Sequence, residues 1–219
     1  MIKYELLIFD MDGTILDSRP YYVKTLHRFL NKYIRPMDDE ESFRMIGPNG
    51  KVILENAGVT PEEFPEYERK YLDFFENEAK EEMVEIPVKE DLADILARCR
   101  NKGLKTVLLT NSTYPVVNEV LRLNGLTEAF DNVRSSGVGD HEKHRRVPDI
   151  LEKFGVNNEE VIVVGDSETD CKMAIEFGLD MCWVDGEYAW YNDKDYIVNV
   201  FKPTYIINTL SDIPEVFEK

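Results

Sequence analysis

Leu6-Leu7-Ile8-Phe9-Asp10-Met11-Asp12-Gly13-Thr14 is an apolar run of strand length that stops on two carboxylates and a glycine turn. Two like charges so close together repel and are costly to desolvate, so a purely folding role explains the pair poorly. A divalent cation is the obvious compensator. Gly13 permits a tight turn and the Thr14 hydroxyl can bond the loop, which lets the backbone curl around a small anion at the strand end.

Working outward, apolar runs of strand length recur at 4–9, 104–109, 161–164, 181–184 and 205–207. Between them, Leu92, Ile95, Leu96 and Cys99 keep helical spacing, as do Val116, Val120, Leu121 and Leu123, then Val147, Ile150, Leu151 and Phe154. Short buried strands alternating with amphipathic helices predict an α/β fold, a Rossmann-like doubly wound parallel sheet covered on both faces. In such a sheet the ligand crevice lies at the carboxyl ends of the strands, where Asp10 stands. One stretch breaks the alternation. From 18 to 85 only helical patterns and turns occur, so the chain is expected to divide into a core domain of residues 1–17 and 86–219 and an inserted α-helical cap domain of residues 18–85. Phe64, Tyr67, Tyr71, Phe74 and Phe75 form an aromatic stripe at helical spacing that reads as the insert's core. Asp17-Ser18 and Ile86-Pro87 flank the insert as candidate hinges.

The 219 residues are 43% hydrophobic with only 12 glycines and 10 prolines, which suits a core domain carrying a smaller insertion. A net charge of -17 argues against binding a nucleic-acid backbone or an anionic membrane surface. An anionic substrate would then need a local basic cluster and a bound cation. No apolar run is long enough to span a bilayer and no signal core precedes the first strand, so a cytoplasmic location is expected. Cys99, Cys171 and Cys182 are odd in number and form no C-x-x-C pair, which fits reduced, packed thiols.

Three further elements fall at strand ends. Thr110-Asn111-Ser112 offers hydroxyls and backbone N–H groups that suit phosphate oxygens, or an ordinary helix cap. Gly165-Asp166-Ser167-Glu168-Thr169-Asp170 places two aspartates four apart, able to face one point and, with Asp10 and a backbone carbonyl, to supply hard oxygen ligands for Mg²⁺. The plainer alternative makes Asp166 a helix cap and Asp170 a surface residue. His141-Glu142-Lys143-His144-Arg145-Arg146 supplies the local positive charge, its lysine able to favour ionised carboxylates and bind a phosphoryl group. Its two histidines read as exposed loop residues before they read as metal ligands.

This order of motifs resembles the haloacid dehalogenase-like hydrolase superfamily over nearly the whole chain, through Asp10-x-Asp12-Gly13-Thr14, Thr110, Lys143 and Gly165-Asp166-x-x-x-Asp170. The insert looks like the helical cap of its phosphoglycolate phosphatase and β-phosphoglucomutase branch. The resemblance implies a Mg²⁺-dependent phosphatase acting on a small phosphorylated metabolite. Asp10 would attack phosphorus and form an aspartyl phosphate, and Asp12 would act as acid and then base. Thr110 would hold a phosphoryl oxygen, with Asn111, Ser112, Gly13 and Thr14 around it, while Lys143 offsets charge. The implied metal ligands are Asp10, the Asp12 main-chain carbonyl, Asp166 and Asp170. A sugar phosphomutase would use the same residues, and a phospho-accepting signalling module is a third reading that the cap and the first-strand aspartate disfavour.

Two departures stand out. The branch usually carries proline after the third-motif lysine, whereas His144 follows Lys143, leaving Arg145 or Arg146 as substitutes. Residues 185–201, with Tyr188, Trp190, Tyr191 and Tyr196, replace an expected short connection and could close over the crevice or form a surface flap. In the insert, Arg44 and Lys51 flank the turn Gly47-Pro48-Asn49-Gly50, which could reach the leaving group on closure, and Tyr21 and Tyr22 could contact substrate or anchor the cap. The identity of the substrate and the oligomeric state are not legible in the sequence.

Overall fold

β1 (Leu6–Phe9) runs through the middle of a six-stranded sheet in the computed structural model. The structure describes residues 3–79, 86–89, 91–137, 140, 142–187, 189–190 and 193–213. All four β1 side chains are buried, as a strand covered on both faces requires. Its neighbours are β2 (Lys105–Thr113) and β4 (Val161–Gly165), with β3 (Asn132–Ser136) beyond β2, and β5 (Asp180–Val184) and β6 (Tyr205–Ile207) beyond β4. Every pairing is parallel, and the order β3-β2-β1-β4-β5-β6 is that of a doubly wound Rossmann-like sheet. The direction of strand addition reverses between β1 and β4, so a crevice opens between their carboxyl ends.

The period-two alternation of strand side chains divides the core into two layers. Leu7, Phe9, Leu108, Ile162 and Val164 point to one face, against Leu92, Ile95 and Cys99 of a helix at Leu92–Asn101 and Val117 and Val120 of another at Tyr114–Leu123. Leu6, Ile8, Val107, Val161 and Val163 point to the other, against Val147 and Ile150 of the helix Val147–Phe154 and Cys171 and Ala174 of the helix Glu168–Phe177. The three cysteines are buried free thiols in these layers.

Between β1 and β2 the chain adds α1 (Arg19–Tyr33), α2 (Asp39–Arg44), α3 (Gly50–Asn56) and α4 (Phe64–Asp73), the last running into a π-helical turn at Phe74–Glu78. Among the described residues of this stretch there is no strand. Tyr71, Phe74 and Phe75 are buried and Phe64 and Tyr67 pack against them, so the aromatic stripe is the core of the helical insert. At its base, Asp17 donates its N–H to the Pro87 carbonyl and Lys89 donates to Ile15, while the Lys89 ammonium pairs with the Asp17 carboxylate. One antiparallel bridge, Leu16 with Val88, thus joins the chain entering and leaving the insert where the candidate hinges stand. Residues 80–85 lie outside the described residues.

β3 has no counterpart among the apolar runs of the sequence. Asn132, Val133, Arg134 and Ser135 are half-buried at the sheet edge, where one side lacks a neighbouring strand, and the polar composition follows from that position. The long segment after β5 is also not a simple flap. Its second half forms the helix Lys194–Val200, α9 after α5 to α8 as the helices named above follow one another, and buries Ile197 in the second core layer.

Candidate active site

The backbone of β1 continues far enough for Asp10 to donate its N–H to the Val164 carbonyl at 2.9 Å, which fixes its carboxylate over the β1/β4 crevice. The following turn is closed by the Gly13 N–H on the Leu16 carbonyl at 2.9 Å. Gly13 sits at φ +82°, and a Cβ there would stand 2.4 Å from Asp166 Oδ2 and 2.7 Å from Trp190 Cδ1. Both the backbone conformation and the close approach of the β4 loop therefore require glycine.

Asp166 follows β4 and is wholly buried. Its Oδ1 accepts from Thr14 Oγ1 at 2.7 Å and its Oδ2 from the Trp190 N–H at 2.5 Å, while its main-chain carbonyl accepts from Trp183 Nε1 at 2.9 Å. Ser167, not Asp166, caps the helix α8 (Glu168–Phe177). Asp170 lies one turn into that helix and is wholly buried, not a surface residue. Its Oδ2 accepts from Ser167 Oγ at 2.6 Å and from the Ser167 N–H at 3.0 Å, leaving Oδ1 aimed at the crevice. Gly165 makes room for this, since a Cβ there would meet Asp170 Cγ at 2.3 Å.

Lys143, 4% exposed, opens the 3-10 turn Lys143–Arg146 before α7 (Val147–Phe154). Its ammonium donates to Asp10 Oδ1 and to Asp170 Oδ1, each at 2.6 Å. Arg145 is exposed on Glu142, and Arg146 holds the Thr110 carbonyl at 2.9 Å and Asp140. Of the three basic residues it is therefore Lys143 that reaches the carboxylates, although His144 follows it. His144 is half-buried and outside the cluster, His27 bonds Ser42 in the insert, and His141 lies outside the described residues.

Ligand oxygens of Asp10, Asp166 and Asp170 all lie within 4.8 Å of one another. One ammonium faces three buried carboxylates, and the imbalance shows in their protonation. Burial, and then the Asp170 charge, push Asp166 up to about 7. Burial and Asp170 likewise hold Asp10 well above the usual carboxylate range despite Lys143. Burial alone would lower Lys143, but Asp10 and Asp170 outweigh it and raise it. Hard oxygen donors with an unbalanced negative charge of this kind fit a divalent cation such as Mg²⁺. The Asp12 carboxylate is not part of that group; its Oδ2 accepts from Ser112 Oγ at 2.6 Å.

At the end of β2, Thr110 is buried with its Oγ1 accepting from the Ser112 N–H at 3.0 Å. Asn111 is a junction. Its Oδ1 accepts from the Lys143 N–H at 2.8 Å, its Nδ2 donates to the Pro48 carbonyl of the insert at 3.0 Å, and its own carbonyl accepts from Ser136 Oγ at 2.7 Å. A cavity of about 450 Å³ connects Asp10, Asp12, Thr110, Asn111, Ser112 and Lys143 to the insert. Gly47-Pro48-Asn49-Gly50 and Lys51 line it, as do Tyr21 and Tyr22. Arg44 does not; its side chain is exposed and pairs with Glu40.

Sequence reasoning missed the contacts of Trp190 and Ser136. The aromatic richness of 185–201 marked the first, and Trp190 both lines the cavity and bonds Asp166. Ser136 ends a polar edge strand that carries no pattern. Tyr188 and Tyr191 lie outside the described residues, and Tyr196 is exposed on α9.

The family model described as haloacid dehalogenase-like hydrolase matches residues 7–184. A putative pyrophosphatase PpaX of Caldanaerobacter subterraneus is 27% identical, over 99% of this chain and 96% of its own. A phosphoglycolate phosphatase of Synechococcus elongatus is 24% identical over 95% of each. Among solved structures, a predicted phosphatase from Clostridium acetobutylicum covers 99% of each chain with a TM-score of 0.82 at 22% identity, which shows a shared fold. No helix among the described residues is long and apolar enough to cross a membrane.

Proposed function

The chain belongs to the haloacid dehalogenase-like hydrolase family, and on that premise we propose that it is a Mg²⁺-dependent phosphatase that hydrolyses a small phosphomonoester through an aspartyl phosphate on Asp10. The observation that carries this reading is the Lys143 ammonium set 2.6 Å from both Asp10 and Asp170 beside the buried Asp166. A surface ion pair would need none of that burial. Relatives named phosphoglycolate phosphatase and pyrophosphatase support the same reaction class.

Asp10, Asp166, Asp170 and the Asp12 main-chain carbonyl would hold the metal, which when bound supplies positive charge to the phosphoryl oxygens. The Asp10 carboxylate forms a bond to phosphorus as the ester P–O bond breaks. Asp12, steadied by Ser112, gives its proton to the departing alkoxide. In the second displacement Asp12 takes a proton from water as that water attacks phosphorus, releasing phosphate and restoring the Asp10 carboxylate. Thr110 and the backbone N–H groups around Gly13 and Ser112 would position the phosphoryl oxygens, and Lys143 offsets the charge of the crowded transition state. Residues 18–85 act as the cap over a core of 1–17 and 86–219, with Lys51 and the Gly47–Gly50 turn on the leaving-group side. Arg44 is left out of this assignment.

The test is phosphate release from a panel of phosphomonoesters, with Mg²⁺ and with EDTA, for the wild type and Asp10→Asn. Release that requires both the metal and Asp10 is expected. Turnover retained by a folded Asp10→Asn protein would overturn the assignment.

A further inference from the structure

The cavity is far more apolar on the insert side than a phosphate-sized or dicarboxylate-like substrate requires. Tyr22, Tyr71, Phe75 and Trp190 form one contiguous aromatic wall: Tyr22 stacks on Phe75 with centroids 5.6 Å apart, Trp190 meets Tyr22 edge-on at 5.5 Å, and Tyr71 lies 4.6 Å from Phe75. Tyr71 and Phe75 are buried behind Tyr22, while the half-buried Phe64 and Leu72 also line the cavity. The wall is held in place. The Tyr22 and Tyr71 hydroxyls bond each other, and Trp190 is tied through its N–H to Asp166. It also stands beside Asp12, whose charge acts on both tyrosines.

Charge points the same way. Among the described residues lining the cavity the cations are Lys51 and Lys143, and Lys143 is already committed to Asp10 and Asp170. Against them stand Asp10, Asp12, Glu68 and Glu168. Among the described residues, the one cation such a second phosphate, as in pyrophosphate, or a leaving-group carboxylate, as in phosphoglycolate, would find free of the acidic cluster is Lys51, half-exposed and 3.9 Å from Glu55. Burying such an anion against aromatic rings without a dedicated partner is unfavourable. A cavity of about 450 Å³ has room for a body much larger than either.

Resting on the phosphomonoesterase reading above, we propose that the substrate is a phosphomonoester whose leaving group is an uncharged, apolar alcohol, an extended alkyl or aryl-alkyl chain lying along the partly exposed Tyr22, Phe64, Leu72 and Trp190 side chains. The alcohol oxygen then departs toward Asp12 and the chain never leaves the aromatic surface. The small anionic substrates named for its relatives would be poor ones here.

Binding and turnover separate the two levels of the argument. Methyl, hexyl and 2-phenylethyl phosphate share an alkoxide leaving group of similar intrinsic reactivity, and phosphoglycolate and pyrophosphate supply the anionic comparison. Calorimetric titration of the Asp10→Asn protein with Mg²⁺ measures affinity without turnover. Each buried methylene contributes about fourfold, so contact with half of the five extra methylenes of hexyl phosphate predicts roughly 30-fold tighter binding than methyl phosphate. Phosphate release by the wild type should follow the same order in kcat/KM, with phosphoglycolate and pyrophosphate at least tenfold below hexyl phosphate. Equal affinity along the alkyl series, or a preference for phosphoglycolate or pyrophosphate, overturns the inference while leaving a phosphatase. The alkyl preference in binding without release of phosphate from any compound upholds the wall and overturns hydrolysis. Phe64→Ala, at a half-buried cavity-lining position, should lower the hexyl-to-methyl ratio severalfold; an unchanged ratio counts against the wall.

Discussion

Replacing Asp166 by asparagine should stabilise the metal-free protein while abolishing its response to Mg²⁺. Burial and the Asp170 charge raise the Asp166 carboxyl from the usual 3.8 to about 7. A carboxyl raised in the folded state holds its proton more tightly there than in the unfolded chain. Its penalty is therefore absent below the unfolded value, grows as pH rises from about 4 to about 7, and is complete above that. A gap of about three pH units amounts to about 4 kcal/mol at pH 8. Asparagine removes the charge but has a single acceptor oxygen, so either the Thr14 hydroxyl or the Trp190 N–H, both now donating to Asp166, loses its partner at a cost of about 1–3 kcal/mol. The balance is about 2 kcal/mol in favour of the variant, or roughly 4–8 °C in Tm for a chain of this size. At pH 5 less than half of the penalty remains and the two proteins should melt together. Thermal unfolding followed by circular dichroism in EDTA at both pH values reads this directly. Adding Mg²⁺ at one hundred times its Kd should raise the wild type by about 2.7 kcal/mol and the variant by far less. A variant that melts below the wild type in EDTA at pH 8, or that gains the same increment from Mg²⁺, would refute the idea that excess negative charge makes this cluster a cation site.

Lys143→Met leaves Asp10 and Asp170 buried without their cation, so it should destabilise the metal-free protein by about 3–5 kcal/mol and lower kcat by about 10²–10³, as removal of one positioned charge does elsewhere; a kcat within tenfold of the wild type would reassign the lysine to structure. Gly13→Ala places a methyl group 2.4 Å from Asp166 Oδ2 at φ +82°. It should cost about 1–3 kcal/mol in urea unfolding and weaken Mg²⁺ binding together, and a fully stable, fully active variant would contradict the described turn. At the start of β5, burial would raise the Asp180 carboxyl, but hydrogen bonds from Lys3, Tyr4 and Thr204 outweigh it and lower it. That contribution is present above the unfolded carboxylate value and is lost as pH falls through the lower folded one. Asp180→Asn should therefore flatten the acid limb of the stability profile below about pH 4, and an unchanged limb would remove the pair from the account.

What the sequence made legible was whatever depends on burial with a regular period. β1 and β4 are buried on both faces, so they stand out as unbroken apolar runs, and the loops at their ends could be located from them. β3 was invisible because an edge strand with four half-buried residues needs no apolar pattern. Lys143 was chosen by spacing from α7, and its burial between two carboxylates could not be read from a run of six mostly charged residues. Arg44 was read from its neighbourhood in the sequence. Adjacency to the Gly47–Gly50 turn suggested a reach toward the crevice, but a six-residue helix carries its side chain to the solvent face beside Glu40.

The β5 loop joins these levels in a way that neither pattern nor motif expressed. Trp190 donates its N–H to Asp166 while its ring packs on Tyr22, and the neighbouring Ala189 carbonyl accepts from Arg19 at 2.8 Å. Both Arg19 and Tyr22 belong to α1, the first helix of the insert. The same two residues, Ala189 and Trp190, therefore fix one carboxylate of the acidic cluster and one end of the insert. A motion of the insert that displaced α1 would pull on a hydrogen bond to Asp166, so the loop has to yield or the insert has to pivot about it. With Asn111 holding both the Lys143 N–H and the Pro48 carbonyl on the opposite wall, the cavity is spanned at two points by contacts that begin on the acidic cluster and end on the insert. The acidic cluster and the insert are thus joined through two hydrogen-bonded junctions, Trp190 on one wall and Asn111 on the other.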